Sequence, residues 1–189
     1  MRKLSVFNHV SLDGYFVDGK GAMDWAHKSD PEWNAFVAGN ARDAGGVLVF
    51  GRVTYELMAS FWPSPLAQQL DPVVAAGMNA AEKLVFSRSM KKASWNNTRL
   101  IKRGLTQEIT RLKAEPGNGL VVMGSGTIVA QLAAAGLVDT YQLVVNPLVL
   151  GRGRTLFEGV KKPIALELTG TRRFKNGNVV LSYAPGPLP

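Results

Sequence analysis

The 189-residue chain contains no cysteine. That excludes disulfides, thiol nucleophiles and thiolate-bound metals, and it fits a reducing cytoplasm. Histidine is almost as scarce: only His9 and His27 occur, so no histidine-rich metal centre is expected. No apolar run approaches the roughly eighteen residues of a membrane span. The start, Met1-Arg2-Lys3-Leu4-Ser5-Val6, is basic but lacks the apolar stretch and cleavage site of a signal peptide. Acidic residues are short as well, 14 against 22 Lys and Arg, for a formal charge of +8. This excess favours an anionic partner: a phosphorylated cofactor, a phosphorylated substrate or nucleic acid. The basic residues are scattered and never interleaved with aromatics, which makes nucleic acid the weakest of the three.

Apolar residues make up 46% of the chain. A soluble globular protein is expected, one domain over residues 1–189, with room for a substantial core. Gly119-Leu120-Val121-Val122-Met123-Gly124-Ser125-Gly126-Thr127-Ile128-Val129 organises it. Four large apolar residues in a row read as a strand buried on both faces. After the Gly-Ser-Gly turn, Ile128, Val129, Leu132 and Ala133 share a helical face, and Gly136 is a natural stop. A strand, a tight glycine turn and a helix start leave free backbone N–H groups at the positive end of the helix dipole, a setting suited to phosphate. The turn is not a dinucleotide fingerprint, a phosphate-binding Gly-Lys-Ser/Thr loop or a nucleophile elbow.

Taken in order, Leu4–Val10 reads as a first strand ending at Ser11-Leu12-Asp13-Gly14-Tyr15, followed by a long loop to Asp24-Trp25. Asp30, Pro31 and Glu32 form a helix start. Val47-Leu48-Val49-Phe50 is a second apolar strand, and Gly51-Arg52-Val53-Thr54-Tyr55-Glu56 a second strand–glycine–helix junction. Pro63 and Pro65 are read as chain breaks, with a short helix at Pro72–Ala80. Strands follow at Lys83–Phe86 and Arg99–Ile101, a helix at Thr106–Ala114, and a strand at Thr140–Val145 stopped by Asn146-Pro147. Leu148–Arg154 reads as a glycine-punctuated loop. Ile164–Phe174 and Val179–Tyr183 form a hairpin through Asn176-Gly177. The tail, 185–189, is expected to be disordered. Strands alternating with helices, then strands alone, predict an α/β fold: a mostly parallel mixed sheet flanked by helices, finished by an antiparallel hairpin.

Six of these pieces together resemble the dihydrofolate reductase-like family, in the branch of the C-terminal reductase domain of the bifunctional riboflavin-biosynthesis enzyme. They are Ser11-Leu12-Asp13-Gly14-Tyr15, Asp24-Trp25, Gly51–Glu56, Val85-Phe86-Ser87-Arg88, Gly124-Ser125-Gly126 and Asn146–Gly153. The resemblance spans residues 2 to about 184 and implies NADPH binding. Gly51, Arg52, Val53 and Thr54, with Gly124, Ser125, Gly126, Thr127 and Ile128, would cradle the pyrophosphate. Ser87 and Arg88 would meet the adenosine 2′-phosphate. Val10 and Ser11 would lie near the nicotinamide, with the Asp13–Trp25 loop closing over it. Asp13 and Asp24 are the catalytic candidates, Asp13 as proton donor, and Trp25 and Asn146 are the substrate candidates. The first helix carries only Glu32 as an acid, so folate is not the expected substrate.

The implied activity is NADPH-dependent reduction of a small heterocyclic or carbonyl compound, such as 5-amino-6-(5-phosphoribosylamino)uracil or a pterin-like molecule. The alternative is an NADP-binding sensor or interaction module without turnover. A cytoplasmic homodimer is expected, with no nucleic-acid, membrane or metal partner. Each residue also has a plainer reading. Arg52, Arg88, Arg152 and Arg154 can be solvated, Asp13 can simply make an Asp-Gly turn, Trp25 can pack the loop, and His9 can be structural.

Overall fold

The computed structural model describes residues 1–26, 29–43 and 46–187. The apolar runs of the sequence become the inner strands of an eight-stranded sheet. In chain order the strands are β1 (Leu4–Ser11), β2 (Tyr15–Asp18), β3 (Val47–Gly51), β4 (Lys83–Phe86), β5 (Thr98–Ile101), β6 (Leu120–Val122), β7 (Thr140–Asn146), β8 (Gly153–Thr155), β9 (Leu166–Arg173) and β10 (Val179–Pro185). The helices are α1 (Pro31–Asp43), α2 (Arg52–Phe61), α3 (Pro65–Leu70), α4 (Pro72–Ala80), α5 (Leu105–Ala114) and α6 (Gly126–Ala134).

The sheet order is β5-β4-β3-β6-β1-β7-β10-β9. The six strands from β5 to β7 run parallel, and β10 and β9 close the sheet antiparallel. This is the mostly parallel mixed sheet with a terminal hairpin that the patterning predicted. Alternate strand residues feed two different cores. Leu4, Val6, Val49 and Val122 pack against Ile109 and Leu112 of α5 and Val129 and Leu132 of α6. Leu48, Phe50 and Val85 pack on the other face against Tyr55 of α2 and Val74 and Met78 of α4. Trp33 of α1 covers Val144, Val180 and Phe174 near the hairpin. Each fully buried side chain of this kind contributes about 1.5–3 kcal/mol. Asp30 starts α1 as expected, accepting from the Glu32 and Trp33 N–H groups at 2.7 and 3.4 Å.

Several local readings need correction. Pro65 does not break the chain but opens α3, because Ser64 caps it by accepting from the Ala67 N–H and the missing proline donor costs nothing in a first turn. The Leu148–Arg154 segment is not only a loop: its end enters β8, which pairs antiparallel with β2. The tail is ordered further than expected. Pro185 pairs with Leu166, and the Gly186 N–H donates to the Ala165 carbonyl at 3.0 Å. Leu188 and Pro189, like His27, lie outside the described residues.

Candidate functional site

The carboxyl ends of the parallel strands fall in one row. Ser87 and Arg88 follow β4, Gly51 and Arg52 end β3, Gly124–Thr127 follow β6, Val10 and Ser11 end β1, and Asn146 ends β7. Four strand spacings separate the first from the last, roughly 19 Å. Open parallel sheets bind ligands along this edge.

The middle of the row is a pair of interlocked strand–helix junctions. Gly51 is both the last residue of β3 and the N-cap of α2, and Ser125 is the N-cap of α6; neither helix start has a side-chain cap. The leading N–H groups of both helices, those ahead of Ile128 in α6, therefore lack intrahelical acceptors. The Gly51 N–H donates to the Gly124 carbonyl at 2.9 Å, and the Asn8 amide holds the Met123 carbonyl at 3.1 Å. A Cβ on Gly51 would stand 2.5 Å from Ser125 Oγ, and one on Gly124 2.9 Å from Thr54 Oγ1. Gly124 also needs its positive φ of 118°, and the Gly124–Ser125 peptide is cis. Gly126 has a different duty. A Cβ there would meet the Phe16 ring at 2.7 Å and the Leu156 carbonyl at 3.2 Å, so its bareness lets β2 lie against α6.

Arg52, Val53 and Thr127 are exposed along this rim, and Ser125 Oγ shares a hydrogen bond with Thr127 Oγ1 at 3.0 Å. Arg52 pairs with Glu56 at 2.8 Å, a solvated contact that an incoming phosphate can replace at little cost. Ile128 is turned into the core, and its N–H already donates to the Ser125 carbonyl. Ser87 accepts from the Met90 N–H at 3.0 Å and shares a long 3.5 Å hydrogen bond with Ser89 Oγ. Arg88 is exposed and makes no ion pair or hydrogen bond among the described residues.

At the β1 end, Val10 is a core residue and the Ser11 hydroxyl is committed. It donates to Asp13 Oδ1 at 2.6 Å and accepts from the Tyr15 N–H at 3.0 Å. Asp13 also accepts from the Leu150 and Gly151 N–H groups at 3.1 and 2.7 Å. The Ser11 hydroxyl first, then these backbone donors, hold its carboxyl below the usual range. A carboxylate so stabilised is an acceptor and a poor proton donor. The observed work of Asp13 is to fasten the loop after β7 to the turn after β1, which points away from the proton-donor expectation. The neighbouring loop is anchored too, by β2–β8 pairing and by Asp18, whose carboxylate is lowered by the Ala22 and Lys20 N–H groups it accepts from.

Asp24 is exposed in a short 3-10 turn, and Trp25 donates to the Ala22 carbonyl at 3.2 Å, a loop-packing contact. Glu32 pairs with Arg172 at 3.2 Å on the surface. Asn146 is fully buried and its amide reaches His9 Nδ1 and the Val10 and Val144 carbonyls, while Oδ1 has no partner. His9 stacks edge-on with Trp33, the structural role its plainer reading gave it. Sequence reasoning passed over Asn178, which lies one residue beyond the Val179–Val145 pair and is fully buried with both amide atoms unpartnered. It also passed over Asn8, whose Oδ1 is orphaned beside Gly124. An asparagine set against an apolar strand was the available signal for both.

Comparisons with known proteins bear on the family and the fold. The family model of the RibD C-terminal domain matches residues 2–180. The uncharacterized protein YyaP of Bacillus subtilis is 30% identical over 175 residues, which cover 92% of this chain and 90% of that one. Among solved structures, a candidate riboflavin biosynthesis protein from Shewanella sp. PV-4 superposes with a TM-score of 0.75 at 22% identity, covering 98% of this chain and 99% of that one. Dihydrofolate reductase from Enterococcus faecalis, solved with NADP(H), gives 0.64 at 15% identity over 98% and 97%. These two likenesses establish the dihydrofolate reductase-like fold.

Proposed function

This chain belongs to the RibD C-terminal domain family of reductases, and we propose that it binds NADPH and reduces a small heterocyclic or carbonyl substrate. The observation that carries the reading is the pair of uncapped helix starts locked side by side by the Gly51–Gly124 hydrogen bond, with Arg52 and Arg88 on the same edge. Free N–H groups, two helix dipoles and two exposed guanidinium groups suit a pyrophosphate and a 2′-phosphate.

In this reading the Gly51–Thr54 and Gly124–Thr127 junctions hold the pyrophosphate, and Ser87 and Arg88 hold the 2′-phosphate. The bound cofactor supplies a hydride to the substrate. The protein's own part is to position both partners and keep water out. The Asp13-fastened loop and the β2–β8 pair form the wall at the β1 end of the row. A pyrimidine of the 5-amino-6-(5-phosphoribosylamino)uracil kind or a pterin-like ring is the substrate class. The same reading includes a cytoplasmic homodimer joined near β9, an edge strand exposed along most of its length with Leu168 56% exposed. Sedimentation equilibrium at micromolar concentration checks the dimer.

A second reading, an NADP-binding module without turnover, draws on one observation: Asp13 is spent on loop contacts and Asp24 has no partner among the described residues. NADPH oxidation, followed by the loss of reduced-nicotinamide absorbance against pterins, pyrimidine nucleotides and quinones, separates the two. Oxidation with any member supports the reductase. Tight binding with no oxidation across the panel supports the module, and no binding overturns both.

A further inference from the structure

A groove of about 500 Å³ opens at the other end of β7, lined by Tyr141, Phe157, Val160, Lys161, Lys162, Pro163, Ile164 and Leu166. That volume lies in the range of small-molecule sites. Tyr141 is the second residue of β7 and Asn146 the last, so the groove sits roughly 17 Å along the strand from the row of phosphate-suited junctions. It is a separate place on the molecule.

Three features give the groove a chemical direction. Its floor and walls are apolar, with the Tyr141 and Phe157 rings 5.9 Å apart. The Tyr141 side chain is only 2% exposed, yet its hydroxyl makes no hydrogen bond among the described residues and is not sealed from solvent. A buried tyrosine normally finds a partner for this group. Burial also pushes its phenol up to about 12, so the hydroxyl stays a donor at any physiological pH. Lys161 and Lys162 are both exposed on the rim, and neither has an anionic partner among the described residues.

We propose that this groove binds a small amphipathic carboxylate. The aryl or alkyl body lies against Phe157, Ile164 and Leu166, and the carboxylate accepts from the Tyr141 hydroxyl and the Lys161 and Lys162 ammonium groups. Neutral ligands of the same shape gain only the apolar contact. Two ammonium groups on the rim repel a cationic ligand.

Isothermal titration with 4-phenylbutyrate and with its neutral counterpart 4-phenylbutanol tests this. The carboxylate should saturate and bind the wild type about tenfold more tightly than the alcohol. Lys161→Ala/Lys162→Ala, which alters exposed positions only, should cut the preference for the carboxylate to the few-fold that the Tyr141 hydroxyl supplies. Tyr141→Phe should weaken the carboxylate several-fold while NADPH affinity is unchanged. No saturable binding of the carboxylate would overturn the proposal, as would equal affinity of the two probes for the wild type. It also falls if the double lysine variant keeps the wild-type preference, which would put the binding elsewhere.

Discussion

The Gly51 N–H donates to the Gly124 carbonyl at 2.9 Å, and the Gly51 Cα stands so close to Ser125 that a Cβ would come within 2.5 Å of its Oγ. With φ at −82°, Gly51 does not need to be glycine for its backbone conformation. It needs to be glycine for the contact. Gly51→Ala should therefore act by overpacking, destabilising the fold by about 1–3 kcal/mol and splaying the two helix starts. Ser125→Ala in the same chain should recover part of the loss, because Ile128 Cγ1 and the Ser125 N–H remain within 3.1–3.3 Å of the added carbon. Urea denaturation of the single and double variants measures both effects. NADPH affinity falling with stability, and recovering with it, ties the contact to the site.

Asp13 gives a prediction with a spectroscopic signature. Its carboxylate accepts from Leu150 and Gly151, so Asp13→Asn should speed hydrogen exchange at those two loop amides while leaving β7 itself protected. The sign of its pH dependence follows from its lowered carboxyl. The contribution is present above the unfolded carboxylate pKa and is lost as pH falls through the lower folded value. Turnover should drop about tenfold with NADPH affinity kept within a few-fold, since the proposed reading puts the nicotinamide at this end of the row. Reduced turnover with unchanged exchange at Leu150 and Gly151 would return Asp13 to a chemical role.

The strand–glycine–helix junctions were legible because each is local: an apolar run, a glycine and a period change within about ten residues. The β2–β8 pair was not. Gly153 reads as loop flexibility, but its φ is +153° and a Cβ on it would meet the Val17 carbonyl at 2.0 Å, so it is glycine to let a distant strand approach. The Asp13–Gly151 clasp and the Asn146 amide's contacts to His9 and the Val10 carbonyl likewise join residues far apart in the chain, and no periodicity encodes them. Lys83 is the sharpest case: at the head of an apolar strand its burial cannot be seen without Asn79, Ala81 and Trp95 around it.

Lys83 is fully buried, donating from Nζ to the Asn79 and Ala81 carbonyls at 3.2 and 2.5 Å beneath the Trp95 ring. With no carboxylate in this set, desolvation lowers its pKa to about 8. Between that value and about 10.4 the unfolded chain binds a proton that the folded one does not, so stability should rise with pH in this window. Below pH 8 both states are protonated and the effect vanishes. Denaturation at pH 7.5 and 9.5 should show the wild type gaining about 2 kcal/mol relative to Lys83→Met, which lacks the titrating group. Parallel pH profiles for the two proteins would mean the ammonium is solvated by local opening.

In the proposed reading, Arg88 is the residue that decides between the two nicotinamide cofactors. β4 is the immediate neighbour of β3, so Ser87 and Arg88 stand one strand away from the Gly51 junction, on the side away from α6. A pyrophosphate at the two helix starts therefore leaves its adenosine ribose to extend toward them. Arg88 has no other partner among the described residues, and the Ser87 hydroxyl, which accepts from the Met90 N–H, shares only a long 3.5 Å contact with Ser89 Oγ. A 2′-phosphate carries nearly two charges and three acceptor oxygens, whereas a site for NADH places a carboxylate at this point to accept from the 2′-hydroxyl. No Asp or Glu occurs between Lys83 and Thr106. Charge-assisted hydrogen bonds of this kind contribute roughly 1.5–3 kcal/mol. Arg88→Ala should weaken NADPH about ten- to a hundredfold and leave NADH nearly unchanged, as read by fluorescence titration of both proteins with both cofactors. Raising the salt concentration should narrow the wild-type preference for NADPH, because the contact is solvent-exposed and screened. Equal weakening of the two cofactors would make Arg88 a scaffold residue and move the 2′-phosphate elsewhere along the edge.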